Sequence, residues 1–171
     1  MVELKEKIKD SAKLNFKSGL NCAESVFKAI LDNLEHDFPE ETVALATGFG
    51  GGFGLTGNNC GALAGGIMAI GLIHGRKNPL DGEFKDRVDK LYGNPGLYRF
   101  FNGLPNKFIE KYGSINCYKL NEDYNEWFDR DRFKNCMSIV IETTEMAVDF
   151  IFEGQKNGYS QPFGKNMAGK S

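Results

Sequence analysis

The sequence predicts an all-α fold, a single helical bundle of about six helices around a buried central helix. Three observations point there. Apolar residues recur at helical spacing over long stretches, no run alternates with the period of two that marks a strand, and one segment (residues 60–73) is small or apolar on every side. The 171 residues suit one domain with a substantial core, and 41% hydrophobic with 26% charged residues is an ordinary globular balance. We read residues 1–157 as one helical domain and 158–171, rich in Gly, Pro, Lys, Asn and Ser, as a flexible tail.

Each element has its own warrant. Residues 3–17 place Leu4, Ile8 and Ala12 on one face among lysines and acids. Ser18-Gly19 ends that helix. Asn21 with Glu24 three residues on is a capping-box signal for a second helix, from about Cys22 to Leu34, striped by Val26, Phe27, Ile30 and Leu31. Pro39, followed by Glu40 and Glu41, marks the start of a short third helix. Gly48 to Gly57 is too glycine-dense for a helix. The central helix starts near Asn58 or Asn59 and ends near His74-Gly75. Gly61 and Gly65, like Ala62 and Gly66, are four apart, which lets neighbouring backbones come close. A helix over 80–92 carries Leu80, Phe84, Val88 and Leu91. Gly93-Asn94-Pro95-Gly96 is a break, Leu97 to Tyr112 is helical in part, and Phe133 to Phe152 is the last strong helix.

Composition excludes some functions. A net charge of −2, from 21 basic and 23 acidic residues, gives no broad basic surface, so nucleic acid is not an expected partner. The longest apolar stretch, Ala62 to Ile73, is too short for a bilayer, where about 20 residues are needed, so no membrane insertion is expected. The charged amphipathic start lacks the apolar core of a signal peptide, and we expect a cytoplasmic protein.

The chemistry rests on four isolated cysteines, Cys22, Cys60, Cys117 and Cys136. None belongs to a C-x-x-C pair. In a reducing compartment such residues are catalytic, redox-active or metal-binding more often than structural. Cys22 and Cys60 stand at helix starts, where free amides and the helix dipole favour thiolate. Cys136 alone reads as a small buried apolar residue. Gly52-x-Gly54-x-x-Gly57 has the form of a dinucleotide fingerprint, with Gly61 behind it. No strand–loop–helix unit surrounds it, so a tight loop is the stronger reading, with an anion on its amides as the alternative. His74 reads as a C-terminal helix residue. The aromatic run from Tyr92 to Phe133 reads first as core and second as a pocket wall, and Glu122, Asp123, Glu126, Asp129 and Asp131 as a solvated face.

Gly19-Leu-Asn-Cys22-Ala-Glu-Ser-Val, Gly50-Gly-Gly-Phe-Gly, Cys60-Gly-Ala-Leu-Ala-Gly65 and the single Cys117 and Cys136 together resemble the C_GCAxxG_C_C family, described as redox-active. The family label is written Gly-Cys-Ala, whereas this chain reads Asn59-Cys60-Gly61-Ala62. The resemblance implies four functional cysteines at 22, 60, 117 and 136, in a family of bacteria and archaea often encoded near transporters. Related sequence occurs in some cytochromes, but no C-x-x-C-H is present for covalent haem.

Three functions follow as expectations. The first is thiol redox chemistry, a thiol-based oxidoreductase, with Cys60 the activated thiolate, Cys22 its attacking or resolving partner, and Cys117 with Cys136 a second pair or relay. Four cysteines allow three connectivities. The second is a metal or iron–sulfur protein, with the four thiolates holding zinc or a cluster. The third is a non-enzymatic small-ligand module linked to a transporter system. The redox donor or acceptor is left open, and a homodimer is compatible with the helical core.

Overall fold

The computed structural model describes residues 2–169. It contains six α-helices of nine residues or more: α1 (Val2–Lys17), α2 (Cys22–Leu31), α3 (Gly61–His74), α4 (Phe84–Tyr92), α5 (Gly103–Tyr112) and α6 (Arg130–Asn157). Among the described residues there is no strand, only an isolated antiparallel bridge between Asn59 and Asn116. The all-α expectation holds.

The core is the packing of α1, α2, α3 and α6. Helix α3 lies between α2 and α6, and α1 closes the other side against both of them. Ile8, Val26, Ile30, Ile70, Val140, Val148 and Ile151 are fully buried at their contacts. Helix α3 is buried nearly all round, as its composition requires. Its glycines set how close α2 can come, since a Cβ at Gly65 would sit 2.5 Å from the Ala23 carbonyl oxygen.

The capping box at α2 forms as predicted. The Asn21 side chain accepts from the amides of Ala23 and Glu24, and Glu24 accepts from the Asn21 amide. Thr47 fastens to it, donating its hydroxyl to Glu24 (2.7 Å), so the segment after Pro39 is anchored at the start of α2. That segment is a 3-10 helix, Glu40–Phe49.

The glycine-rich stretch does something the sequence did not announce. Gly51, Gly52, Phe53, Gly54 and Leu55 all have positive φ, between 63° and 70°. With ψ of 27°, 58° and 43° at the three glycines, this is a left-handed helical turn. Left-handed conformation costs L-residues roughly 1–2 kcal/mol each, so glycines carry most of it.

One expectation shifts. The helix proposed for 80–92 begins only at Phe84, and its Leu80 and Phe84 face solvent, 77% and 74% exposed. Residues 159–169 form no helix; the Gly96 amide donates to Tyr159 O, and Asn102 and Asn106 donate to Lys165 O.

Candidate functional site

The four cysteines converge although they come from four separate elements. Cys22 opens α2, Cys60 is the residue that caps α3, Cys136 lies in the second turn of α6, and Cys117 is on the loop between α5 and α6. The Asn59–Asn116 bridge performs the longest-range step. The Cys60 amide donates to Ile115 O (2.7 Å) and the Cys117 amide to Asn58 O (2.6 Å). Alternation along the ladder then turns the Cys60 and Cys117 side chains to the same side, as diagonal neighbours. Helices α2 and α6 supply the other two sulfurs. All four thiols are unpaired, and each of the other three thiols acts on the ionisation of Cys22.

Their environments separate them. The thiols of Cys22 and Cys136 act on each other's ionisation, favouring the Cys136 thiolate and suppressing that of Cys22. The Cys22 thiol and the Arg132 guanidinium, 3.6 Å from its sulfur, hold Cys136 down to about 7 against the opposing effect of burial. Cys60 goes the other way. Burial pushes it up to about 11, and the nearby amides of Ala62 and Leu63 recover only part of this without closing a capping hydrogen bond. Cys117 is raised too, by burial and by the charge of Cys136. This reverses the expected order: the helix-start sulfur of Cys60 is not the most acidic thiol, because desolvation outweighs two amides. Nor is Cys60 the thiol that acts most on Cys22; Cys136 is.

Arg132 and Asn121 escaped the sequence analysis. Each stands four residues from a cysteine, Arg132 before Cys136 on the same helix face and Asn121 after Cys117, and that spacing was the available signal. Arg132 is fixed by three contacts. Its Nε donates to Trp127 O, its plane lies 3.8 Å over the Trp127 ring, and Nη1 faces Cys136. Asn121 links the two segments, its Nδ2 donating to the Cys117 backbone carbonyl (2.9 Å) while its Oδ1 accepts from the Cys136 thiol (3.4 Å).

Above this floor is a cleft of about 340 Å³, bordered by Cys117, Asn121, Arg132, Tyr118, Trp127 and Leu55. The left-handed turn forms one wall. A Cβ at Gly51 would meet the Trp127 ring at 3.1 Å, and one at Gly57 the Tyr118 Cβ at 3.1 Å, so both glycines let the wall close. The aromatic run thus divides. Phe100 and Phe108 are core, whereas Tyr118, Tyr124 and Trp127 face the cleft.

The residues of the formal dinucleotide fingerprint, Gly52, Gly54 and Gly57, do not form a nucleotide loop. No strand precedes them among the described residues, and the amides of Gly54, Gly57 and Asn58 already donate to Gly50, Gly51 and Gly52. That leaves these amides no anion to hold. Gly61 instead permits contact with Phe49 O, 2.7 Å from where a Cβ would stand. Among the described residues no three His, Cys, Asp or Glu side chains are grouped at metal-binding spacing. His74 is not a ligand; Nε2 donates to Ile151 O (2.9 Å) and Nδ1 accepts from the Tyr159 hydroxyl (2.8 Å).

A family model with the description "Putative redox-active protein (C_GCAxxG_C_C)" matches residues 20–150, which includes all four cysteines. The chain belongs to the C_GCAxxG_C_C family. An "Uncharacterized protein" of Archaeoglobus fulgidus is 31% identical over 128 residues, covering 75% of this chain and 82% of that one. No solved structure matches. No helix among the described residues of this C_GCAxxG_C_C protein is long and apolar enough to cross a membrane.

Proposed function

We propose that this C_GCAxxG_C_C protein is a dithiol–disulfide redox protein in which Cys136 attacks and Cys22 resolves. The observation that carries the reading is the Arg132 guanidinium 3.6 Å from the Cys136 sulfur, at a site where the Cys22 thiol also favours the Cys136 thiolate. A thiolate is the nucleophile in disulfide exchange, and one that ionises near neutral pH combines availability with nucleophilicity.

The steps balance with a disulfide as oxidant. The Cys136 thiolate attacks one sulfur of R–S–S–R, forming Cys136–S–S–R and releasing RS⁻. The Cys22 thiol gives its proton to the released RS⁻, and its thiolate attacks the Cys136 sulfur. The Cys22–Cys136 bond forms and the second RS⁻ leaves. Two protein thiols are oxidised by two electrons, and one disulfide is reduced to two thiols. Read backwards, the same steps reduce the protein. Cys60 and Cys117, kept protonated by burial, stand as a second pair beside the first. Free thiols in such a role suit a reducing compartment such as the cytoplasm.

The test is to oxidise the reduced protein with hydroxyethyl disulfide and map the linked peptides by mass. A Cys22–Cys136 link is expected, lost in C136S and retained in C60S and C117S. A different link, or four inert thiols, refutes the reading. Iron with sulfide, or stoichiometric zinc, in protein purified without oxygen would favour the metal reading instead.

A further inference from the structure

The cleft over the cysteines has its own chemistry, which narrows the disulfide it would accept. Its volume of about 340 Å³ lies at the small end of the range for small-molecule sites. The sulfur at its floor, Cys117, is only 7% exposed, which suits a slender ligand entering a recess better than a flat protein face.

The charges of the cleft are of both signs. Arg132 is the cation. Nε is bound to Trp127 O and Nη1 faces Cys136, and its remaining N–H donors have no hydrogen-bond partner among the described residues. Guanidinium donors of this kind match a carboxylate. On the rim, Glu126 has no ion-pair partner among the described residues, while Glu122 is taken by Lys119 at 2.7 Å. Trp127 and Tyr118 also line the cleft and offer aromatic surface to an aliphatic or thioether stem.

We propose that this cleft binds a low-molecular-weight zwitterionic amino-acid disulfide of the cystine type, with its carboxylate on Arg132, its ammonium on Glu126 and its sulfurs toward Cys117, beside the Arg132 and Asn121 side chains that lead to Cys136. The proposal rests on the dithiol reading above for its use, but not for its binding. The ligand supplies the R–S–S–R of the exchange already written, and no other reactant is needed.

Trp127 is the chain's one tryptophan and so reports occupancy directly. The reduced full-length protein is titrated with S-methylcysteine, which has the same charges but cannot exchange. The comparisons are N-acetyl-S-methylcysteine, without the ammonium, and 2-(methylthio)ethylamine, without the carboxylate. A saturable change in Trp127 emission is expected with S-methylcysteine. Loss of either charge should weaken binding roughly two- to fivefold, the range for partly exposed charge pairs. E126Q should bind S-methylcysteine and its N-acetyl form with equal affinity. No saturable change, or equal affinity for all three ligands in the unsubstituted protein, overturns the proposal. So does oxidation by a protein disulfide that outruns cystine. Failure of the dithiol reading is seen separately: no disulfide, hydroxyethyl disulfide included, would then link Cys22 to Cys136, while the titration would still decide what the cleft binds.

Discussion

Gly65 and Gly71 lie on the same helix and differ only in what stands opposite, so they isolate the contact that positions Cys22. In G65A the new Cβ would come 2.5 Å from Ala23 O and 3.0 Å from Ala23 Cα, both backbone atoms of a residue with no exposure. Overpacking costs about 1–3 kcal/mol, and a clash with backbone on both sides belongs at the upper end. Alanine recovers about 1 kcal/mol over glycine in a helix. The net loss is therefore about 2 kcal/mol. In G71A no atom lies within 4 Å, so only the gain remains, about 1 kcal/mol. For a chain of this size each kcal/mol moves the melting temperature roughly 2–4 °C. Circular dichroism should then show G65A melting some 4–8 °C lower than the parent and G71A slightly higher. Because Ala23 follows Cys22, G65A should also speed alkylation of Cys22. A G65A protein as stable as G71A would refute the claim that bare backbone contact sets the α2–α3 spacing.

Three other outcomes are expected. Alkylation of Cys136 by iodoacetamide should have its pH midpoint near 7, and R132Q should move it upward; a midpoint near the ordinary thiol value, unmoved by R132Q, would contradict the assigned electrostatics. Burial lowers the pKa of His74, so below about 6.5 the unfolded chain binds the proton more readily than the folded one, and stability should fall as pH drops from 6.5 toward 5. H74Q should flatten that part of the curve and cost roughly 1–3 kcal/mol at pH 8, measured by urea unfolding. N21A removes the acceptor for two α2 amides and should cost about 1 kcal/mol in the same assay, with no loss meaning that the cap is redundant.

What the sequence reveals of this molecule follows the range of the forces involved. The capping box at Asn21 and Glu24 was legible because it spans four residues. The buried α3 was legible because its composition leaves no polar face. Thiol acidity was misjudged where a local rule met a global one. The helix start at Cys60 is local and favours thiolate, but burial of that start by the rest of the chain prevails. Cys136 carried one local sign, Arg132 four residues before it, and its acidity comes from that guanidinium together with Cys22, 114 positions away. The left-handed turn was read as a loop because glycine density signals freedom without saying which conformation uses it, and Phe53 and Leu55 gave no hint of positive φ.

That turn also bears on the order in which the molecule assembles. Two of its residues bear side chains in a backbone region that L-residues avoid, and Leu55 remains 66% exposed, so burial returns little. The segment would not take this shape unaided. It is held where the Tyr118 and Cys117 amides donate to Gly57 O and Asn58 O, contacts with a stretch 61 and 59 residues further along. The helices α1, α2, α3 and α6 can collapse on their apolar faces without it. The cleft wall should therefore set only after the 115–118 stretch has docked, among the last parts of the fold to form. A chain emerging from the ribosome would hold Cys22 and Cys60 long before it held a site, and amide exchange should find residues 51–58 protected later than α2 or α3 during refolding.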